Sequence, residues 1–101
     1  MTIEQLAALL EATGLPVAYQ AFRTRQDPPF LCYRFIYDVQ LFADDEVYFS
    51  TGHYQVELYT SQKSPDTERA VEAALGDLGW DKTEAYLDEE RIYQIIYEIE
   101  V

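Results

Sequence analysis

The stretch Ile92-Tyr93-Gln94-Ile95-Ile96-Tyr97-Glu98-Ile99-Glu100-Val101 decides the fold. Tyr93, Ile95, Tyr97, Ile99 and Val101 fall on one face by the period-2 geometry of a strand, while Gln94, Glu98 and Glu100 fall on the other. A terminus frays unless something ties it down. An alternation carried to Val101 therefore predicts that the final residues pair inside a sheet.

Working backwards, Asp88-Glu89-Glu90-Arg91 reads as a turn and Trp80–Leu87 as the strand before it. Ser64-Pro65-Asp66 opens a helix: an N-cap, a proline in the first turn, then Asp66 and Glu68 complementing the helix dipole. Ala70, Val71, Ala74, Leu75 and Leu78 form its apolar stripe, Gly79 closes it, and Gly76 predicts a loose last turn. Two long strands precede it, Phe30–Leu41 and Glu46–Thr60, around the turn Ala43-Asp44-Asp45. In the first, Leu31, Tyr33, Phe35, Tyr37, Val39 and Leu41 share one face. In the second, Tyr54, Val56 and Leu58 define the core face, and the broken phase from Tyr48 to His53 predicts a bulge near Gly52. Asp27-Pro28-Pro29 is a stiff break, with a short strand Val17–Phe22 before it. The chain opens on a helix with a Thr2/Gln5 capping box and a stripe of Ile3, Leu6, Leu9 and Leu10, stopped by Gly14 and Pro16.

The order is α-β-β-β-α-β-β. Strands joined by short turns pair antiparallel, and two helices against one sheet give a two-layer α+β domain spanning residues 1–101, with both helices on one face of a mainly antiparallel sheet. Such a chain buries roughly 65% of its unfolded surface and folds without staples. The expected core places Tyr33, Phe35, Tyr37, Val56, Leu58, Ile95, Tyr97 and Ile99 under Leu6, Leu9, Leu10, Val71, Ala74 and Leu75.

Nineteen acids against seven Lys and Arg leave a charge of −12. Binding a phosphate backbone needs clustered cations, and Arg23, Arg25 and Arg34 are a loose group diluted by Asp27 and Asp38. The balance argues against direct nucleic-acid binding and against an anionic membrane surface. The hydrophobic share of 49% excludes disorder, and the nine tyrosines suit half-wet sheets and protein interfaces. No apolar run approaches the ~20 residues of a membrane span, and no secretory leader pattern opens the sequence, so the expectation is a cytosolic protein.

The residues that could carry chemistry are few. Cys32 is the one cysteine and lies in an apolar strand, where it reads as a small hydrophobe. His53 is the one histidine, between Gly52 and Tyr54, and no Ser-His-Asp or Cys-His arrangement has a supporting context. Asp44-Asp45-Glu46 and Asp88-Glu89-Glu90 are acidic turns that lack the alternating spacing of a calcium loop. The reading is of a protein that is not an enzyme, with no catalytic residue, cofactor or metal. Phe30, Ile36, Tyr59 and Ile92 are large and apolar but lie outside the core phase. With Asp38, Asp44 and Asp45 they form the candidate assembly interface, because apolar residues on neighbouring strands make a patch that calls for a partner.

The order of features resembles a known group. Thr13-Gly14-Leu15-Pro16-Val17-Ala18-Tyr19 after a first helix, then Pro28-Pro29, Phe42-Ala43-Asp44-Asp45-Glu46-Val47-Tyr48-Phe49 and Val56-Glu57-Leu58-Tyr59-Thr60 follow in sequence. A Lys63-x-Pro65-Asp66 helix start and the ending Tyr93–Ile99 complete the series. Together these resemble small minor structural proteins of long-tailed phages and prophages of Gram-positive bacteria, of the tail-terminator or head–tail joining class. The likeness covers nearly the whole chain and rests on order and spacing. It implies a homo-oligomer, a ring of six copies at the head-proximal end of the tail. That ring would stop tail-tube growth and meet tail-tube and head-connector proteins. The protein would be made in the host cytoplasm and end in the virion at the tail–head junction. Rings of this class often carry a long loop that reaches a neighbour, and only Asp38–Val47 or Phe22–Pro29, both short, could serve here. Two rival readings come from other classes. An acidic interaction module mimicking DNA charge would fit −12, and a metal-dependent hydrolase would have to gather Asp38, Asp44, Asp45 or Glu57.

Overall fold

The computed structural model describes residues 2–43 and 46–101, and their side chains except at positions 41–50. The elements run α1 (Ile3–Glu11), β1 (Val17–Tyr19), β2 (Phe30–Ala43), β3 (Glu46–Thr60), α2 (Pro65–Leu75), β4 (Trp80–Leu87) and β5 (Ile92–Glu100), with a 3₁₀ turn at Gly76–Leu78. This is the α+β architecture expected. The five strands form one sheet in the order β1-β2-β3-β5-β4, antiparallel except for β1 beside β2. The connection from β3 through α2 to β4 skips one position, and β5 fills it.

Local signals fix the helix ends. Thr2 accepts from the Gln5 N–H at 3.1 Å, and the Gln5 side chain accepts from the Thr2 N–H at 2.7 Å, which closes the capping box. Ser64 caps α2 by accepting from the Thr67 N–H, with Pro65 in its first turn. Gly76 ends α2 at φ 59°, a conformation that costs glycine little, and the chain tightens to a 3₁₀ turn.

The core lies between the helices and one face of the sheet. Leu6 and Leu10 of α1 and Val71 and Leu75 of α2 pack on Leu31, Tyr54, Val56, Leu58, Ile95, Tyr97 and Ile99. Leu58 and Ile95 are fully buried and paired across β3 and β5, so the phases assigned to those strands hold. The C-terminus is tied as expected: Val101 N–H donates to Gly52 O at 2.9 Å, and Gly52 N–H to Val101 O at 2.7 Å.

Four expectations are corrected. The first strand stops at Tyr19, because Gln20 turns out of the β region at φ 64°. Ala21 therefore does not continue its face. In α2, Ala70 is exposed and Glu68 is buried on the stripe instead.

The bulge sits on β2, not at Gly52. Phe35 pairs with Tyr54 and Tyr37 with His53, so Ile36 is the extra residue. A one-residue slip exchanges faces. Leu31, Tyr33 and Phe35 share the helix side, but Tyr37 and Val39 pair with His53 and Thr51 on the open side, and Asp38 pairs with Gly52 on the helix side. Gly52 itself stays in phase. A Cβ there would stand 2.7 Å from the Tyr54 ring, so glycine makes room for that ring. A second register shift falls between Leu41 and Phe42.

The last correction concerns reach. Phe35 and Tyr37, expected in the core, are 40% and 50% exposed. At about 3.3 Å per residue, a 14-residue strand is about 46 Å long. Helices of 9 and 11 residues cover only about 14 and 16 Å at 1.5 Å per residue. Beyond Ile36 and Gly52, β2 and β3 pair only with each other among the described residues. They leave the body as a two-stranded arm, and the molecule measures 51 × 25 × 24 Å.

Candidate assembly surface

The sheet face opposite the helices is uncovered over most of its area, and a row of polar side chains crosses its centre. Glu57, with a side chain 13% exposed, is held on three sides. Gln55 Nε2 donates to its Oε1 at 2.8 Å, the Tyr59 hydroxyl donates to its Oε2 at 2.6 Å, and Arg34 Nε lies 3.9 Å away. Gln94 Nε2 in turn donates to the Tyr59 oxygen at 2.9 Å. Burial and then the Glu57 hydrogen bond push the Tyr59 phenol far up, with Gln94 working weakly against them. Beside this row, burial and the Glu57 charge raise the Cys32 thiol to about 11. It stays protonated at neutral pH, and a thiol rather than a thiolate is a poor nucleophile.

At one end of this face Phe30 stacks on Tyr59 at 4.8 Å, and Phe22 meets the Phe30 ring edge-on at 5.4 Å. The loop 20–29 thus folds over the open side. It also borders a groove shared with Ile92, lined by Arg25, Gln26, Asp27, Pro28, Phe30 and Glu90. Phe30, Tyr59 and Ile92 are brought to one end and half-covered by their own chain. Ile36 lies at the bulge, 37% exposed, towards the other end. Asp38 is exposed but on the opposite side of the sheet. Asp44 and Asp45 lie outside the described residues. The proposed interface residues therefore form no single patch.

The residues that sequence reasoning missed are Phe35, Tyr37 and Val39, each 40–50% exposed at the root of the arm beside Ile36. A signal was present: strands of this length outrun two short helices. His53 stands behind them, its ring stacked on Tyr37 at 4.8 Å and 4°. Its Nε2 is 3.9 Å from Glu98 and its Nδ1 is 3.9 Å from Glu100.

On the helix side, Glu68 is 3% exposed and held by two lysines. Lys63 Nζ is 2.7 Å from its Oε2 and Lys82 Nζ is 2.8 Å from its Oε1. Lys82 also donates to Glu72 at 2.8 Å, Glu72 accepts from the Tyr97 hydroxyl at 2.7 Å, and Lys63 reaches Glu84. Burial pushes the Glu68 carboxyl up, but hydrogen bonds from Lys63 and Lys82 outweigh it and hold the group below its ordinary value. Glu72 is lowered in the same way, and its hydrogen bonds with Glu68 and Glu72 raise Lys82. Each charge has a partner, so the network reads as a clamp between α2 and β4.

Among the described residues no three His, Cys, Asp or Glu side chains gather as a metal would need, and no helix is long and apolar enough to cross a membrane. The arrangement can recognise a surface: apolar side chains at the arm root, a polar row, and half-covered aromatics at the far end. Compared with models of known protein families the chain matches none, and no curated protein is similar to it.

Proposed function

We propose that the protein is a structural component of a phage or prophage tail. It forms a ring of identical copies at the head-proximal end, which terminates the tail tube and joins it to the head. One observation carries the assembly reading: an arm that leaves the body with Tyr37 and Val39 exposed on the open side of the sheet, Phe35 exposed on the helix side, and Ile36 at the bulge between them. A lone two-stranded hairpin is marginal in water, and one that exposes apolar side chains on both faces calls for a partner to cover them. The described residues of Asp38–Val47 belong to this arm, and the strands that carry them extend their reach beyond that of a loop of the same length. Closed rotational symmetry is the usual way for identical chains to bury such surfaces. The order of motifs resembling the tail-terminator and head–tail joining class supports the placement in a tail. An excess of twelve negative charges is compatible with a channel through which DNA must pass without sticking.

The test is electron microscopy of particles from a phage with and without the gene. Loss should give tails of uncontrolled length or tails without heads. Normal joined tails would remove this reading. A monomer that instead captures a basic nuclease or repressor would favour the acidic module mimicking DNA.

A further inference from the structure

A groove of about 450 Å³ lies at the β1 edge, on the helix side of the sheet. Glu4, Ala7, Ala8 and Glu11 form one wall, because residues at i, i+3, i+4 and i+7 share a helix face. Tyr19 and Tyr33 form the other, their rings edge to face at 5.2 Å and 79°. The small alanines leave the groove open, and with Ile3 they make its lining apolar between the carboxylates. No salt bridge among the described residues reaches Glu4 or Glu11, which stand about 10 Å apart along the helix. The Tyr33 phenol registers their field. Burial first, then Glu11, Tyr19 and Glu4, hold it above its ordinary value. Two carboxylates, two aromatic rings and an apolar lining suit a cationic head on an aliphatic stem, since the ring face attracts cations and the lining takes the methylenes.

The chain carries few cations to offer. Lys63 and Lys82 are held by Glu68, Arg69 by Asp66 and Arg34 by Glu57. Arg91 lies singly beside Glu89 and Glu90. Arg23 and Arg25 are the one pair of cations within three residues, on the exposed loop 20–29. Among the described residues Arg25 pairs only with Asp27, at 3.8 Å, with both side chains about nine-tenths exposed, a pairing worth little. The backbone bends at Arg23 and Thr24, so it is the long stems of the two arginines that would have to bridge to Glu4 and Glu11. The loop lies over one end of the open face of the sheet, while the groove lies on the helix side. Two surfaces on opposite sides cannot meet each other's copies across one two-fold axis, but they meet in a head-to-tail repeat.

We propose that the groove between α1 and the Tyr19–Tyr33 pair receives the Arg23–Arg25 loop of a second copy of this chain. The head-to-tail symmetry rests on the ring reading; the groove's taste for a basic segment does not. The proposal is tested in two arms on the full chain. A fluorescein-labelled peptide of residues 20–29 should raise its anisotropy on binding, and Glu4→Gln with Glu11→Gln should weaken it roughly tenfold. The same peptide with both arginines replaced by Gln should not bind. Sedimentation velocity should then show that Glu4→Arg/Glu11→Arg and Arg23→Glu/Arg25→Glu each lose self-association, and that mixing the two variants restores it, with circular dichroism confirming that both are folded. Peptide that fails to bind the native chain, or binds the Gln variant equally, overturns the proposal. A ring indifferent to both charge reversals overturns it while leaving the ring. Peptide binding by a chain that never associates leaves the groove and removes the ring.

Discussion

Replacing Lys82 by Met keeps the aliphatic stem and removes one of the two cations on Glu68. The native carboxylate is 3% exposed and has Lys82 at 2.8 Å and Lys63 at 2.7 Å. Breaking a fully buried pair costs about 3–5 kcal/mol. Lys82 is 32% exposed and Lys63 remains, so the expected loss is below that range, about 2 kcal/mol at pH 7. For a domain of this size that lowers Tm by roughly 8–16 °C. The pH dependence is the sharper readout. The folded Glu68 carboxyl lies below its ordinary value, so its stabilisation is present above about pH 4.5 and is lost as pH falls through the folded value. The gap between native and Lys82→Met protein should therefore narrow on acidification below about pH 4.5. Adding Glu68→Met should recover stability to within about 1 kcal/mol, since an apolar replacement leaves no unpaired charge at this position. Urea unfolding followed by Trp80 fluorescence, at fixed protein concentration, measures all three. A loss under about 0.5 kcal/mol, or a loss unchanged between pH 7 and 3, refutes the clamp.

Leu58→Ala and Ile95→Ala each remove a fully buried aliphatic side chain and should cost about 2–5 kcal/mol by the same unfolding assay. Deleting Ile36 removes the extra residue of the bulge but leaves Phe35 opposite Tyr54 and Tyr37 opposite His53, so the Tyr37–His53 ring contact should persist in nuclear Overhauser spectra; its loss would contradict the assigned bulge. Ile36→Glu should leave monomer stability within about 0.5 kcal/mol, because the site is exposed, while weakening self-association in sedimentation velocity.

The strands were legible wherever one face is buried. From Tyr54 to Leu58 and from Tyr93 to Ile99 the alternation is clean because the helices lie over it. The reading failed along β2 after Arg34. There both faces carry apolar residues, so period 2 continues on paper through a bulge that the backbone does not respect. A single inserted residue leaves no compositional trace when its neighbours on either side are Phe35 and Tyr37. The arm was nonetheless implied by lengths alone. Glu68 was also within reach, since it stands three and seven residues before Val71 and Leu75 and so shares their stripe. A carboxylate in that position needs cations: Lys63 stands just before the helix and is local, but Lys82 is brought to it only by the crossover from β3 to β4, which local pattern cannot supply. The candidate interface split for the same reason: Phe30, Tyr59 and Ile92 are neighbours in the sheet, but the loop that half-covers them is placed by tertiary contacts of Phe22.

Assembly through surfaces outside the core is the claim on which the functional account depends, and the mass of the purified chain in solution tests it most directly. Native mass spectrometry across a concentration series, joined to negative-stain images of the same sample, should show a closed ring of identical copies, six under the tail reading. A chain that stays at its monomer mass of 11.8 kDa at every concentration, and adds to no isolated tail, would contradict the account.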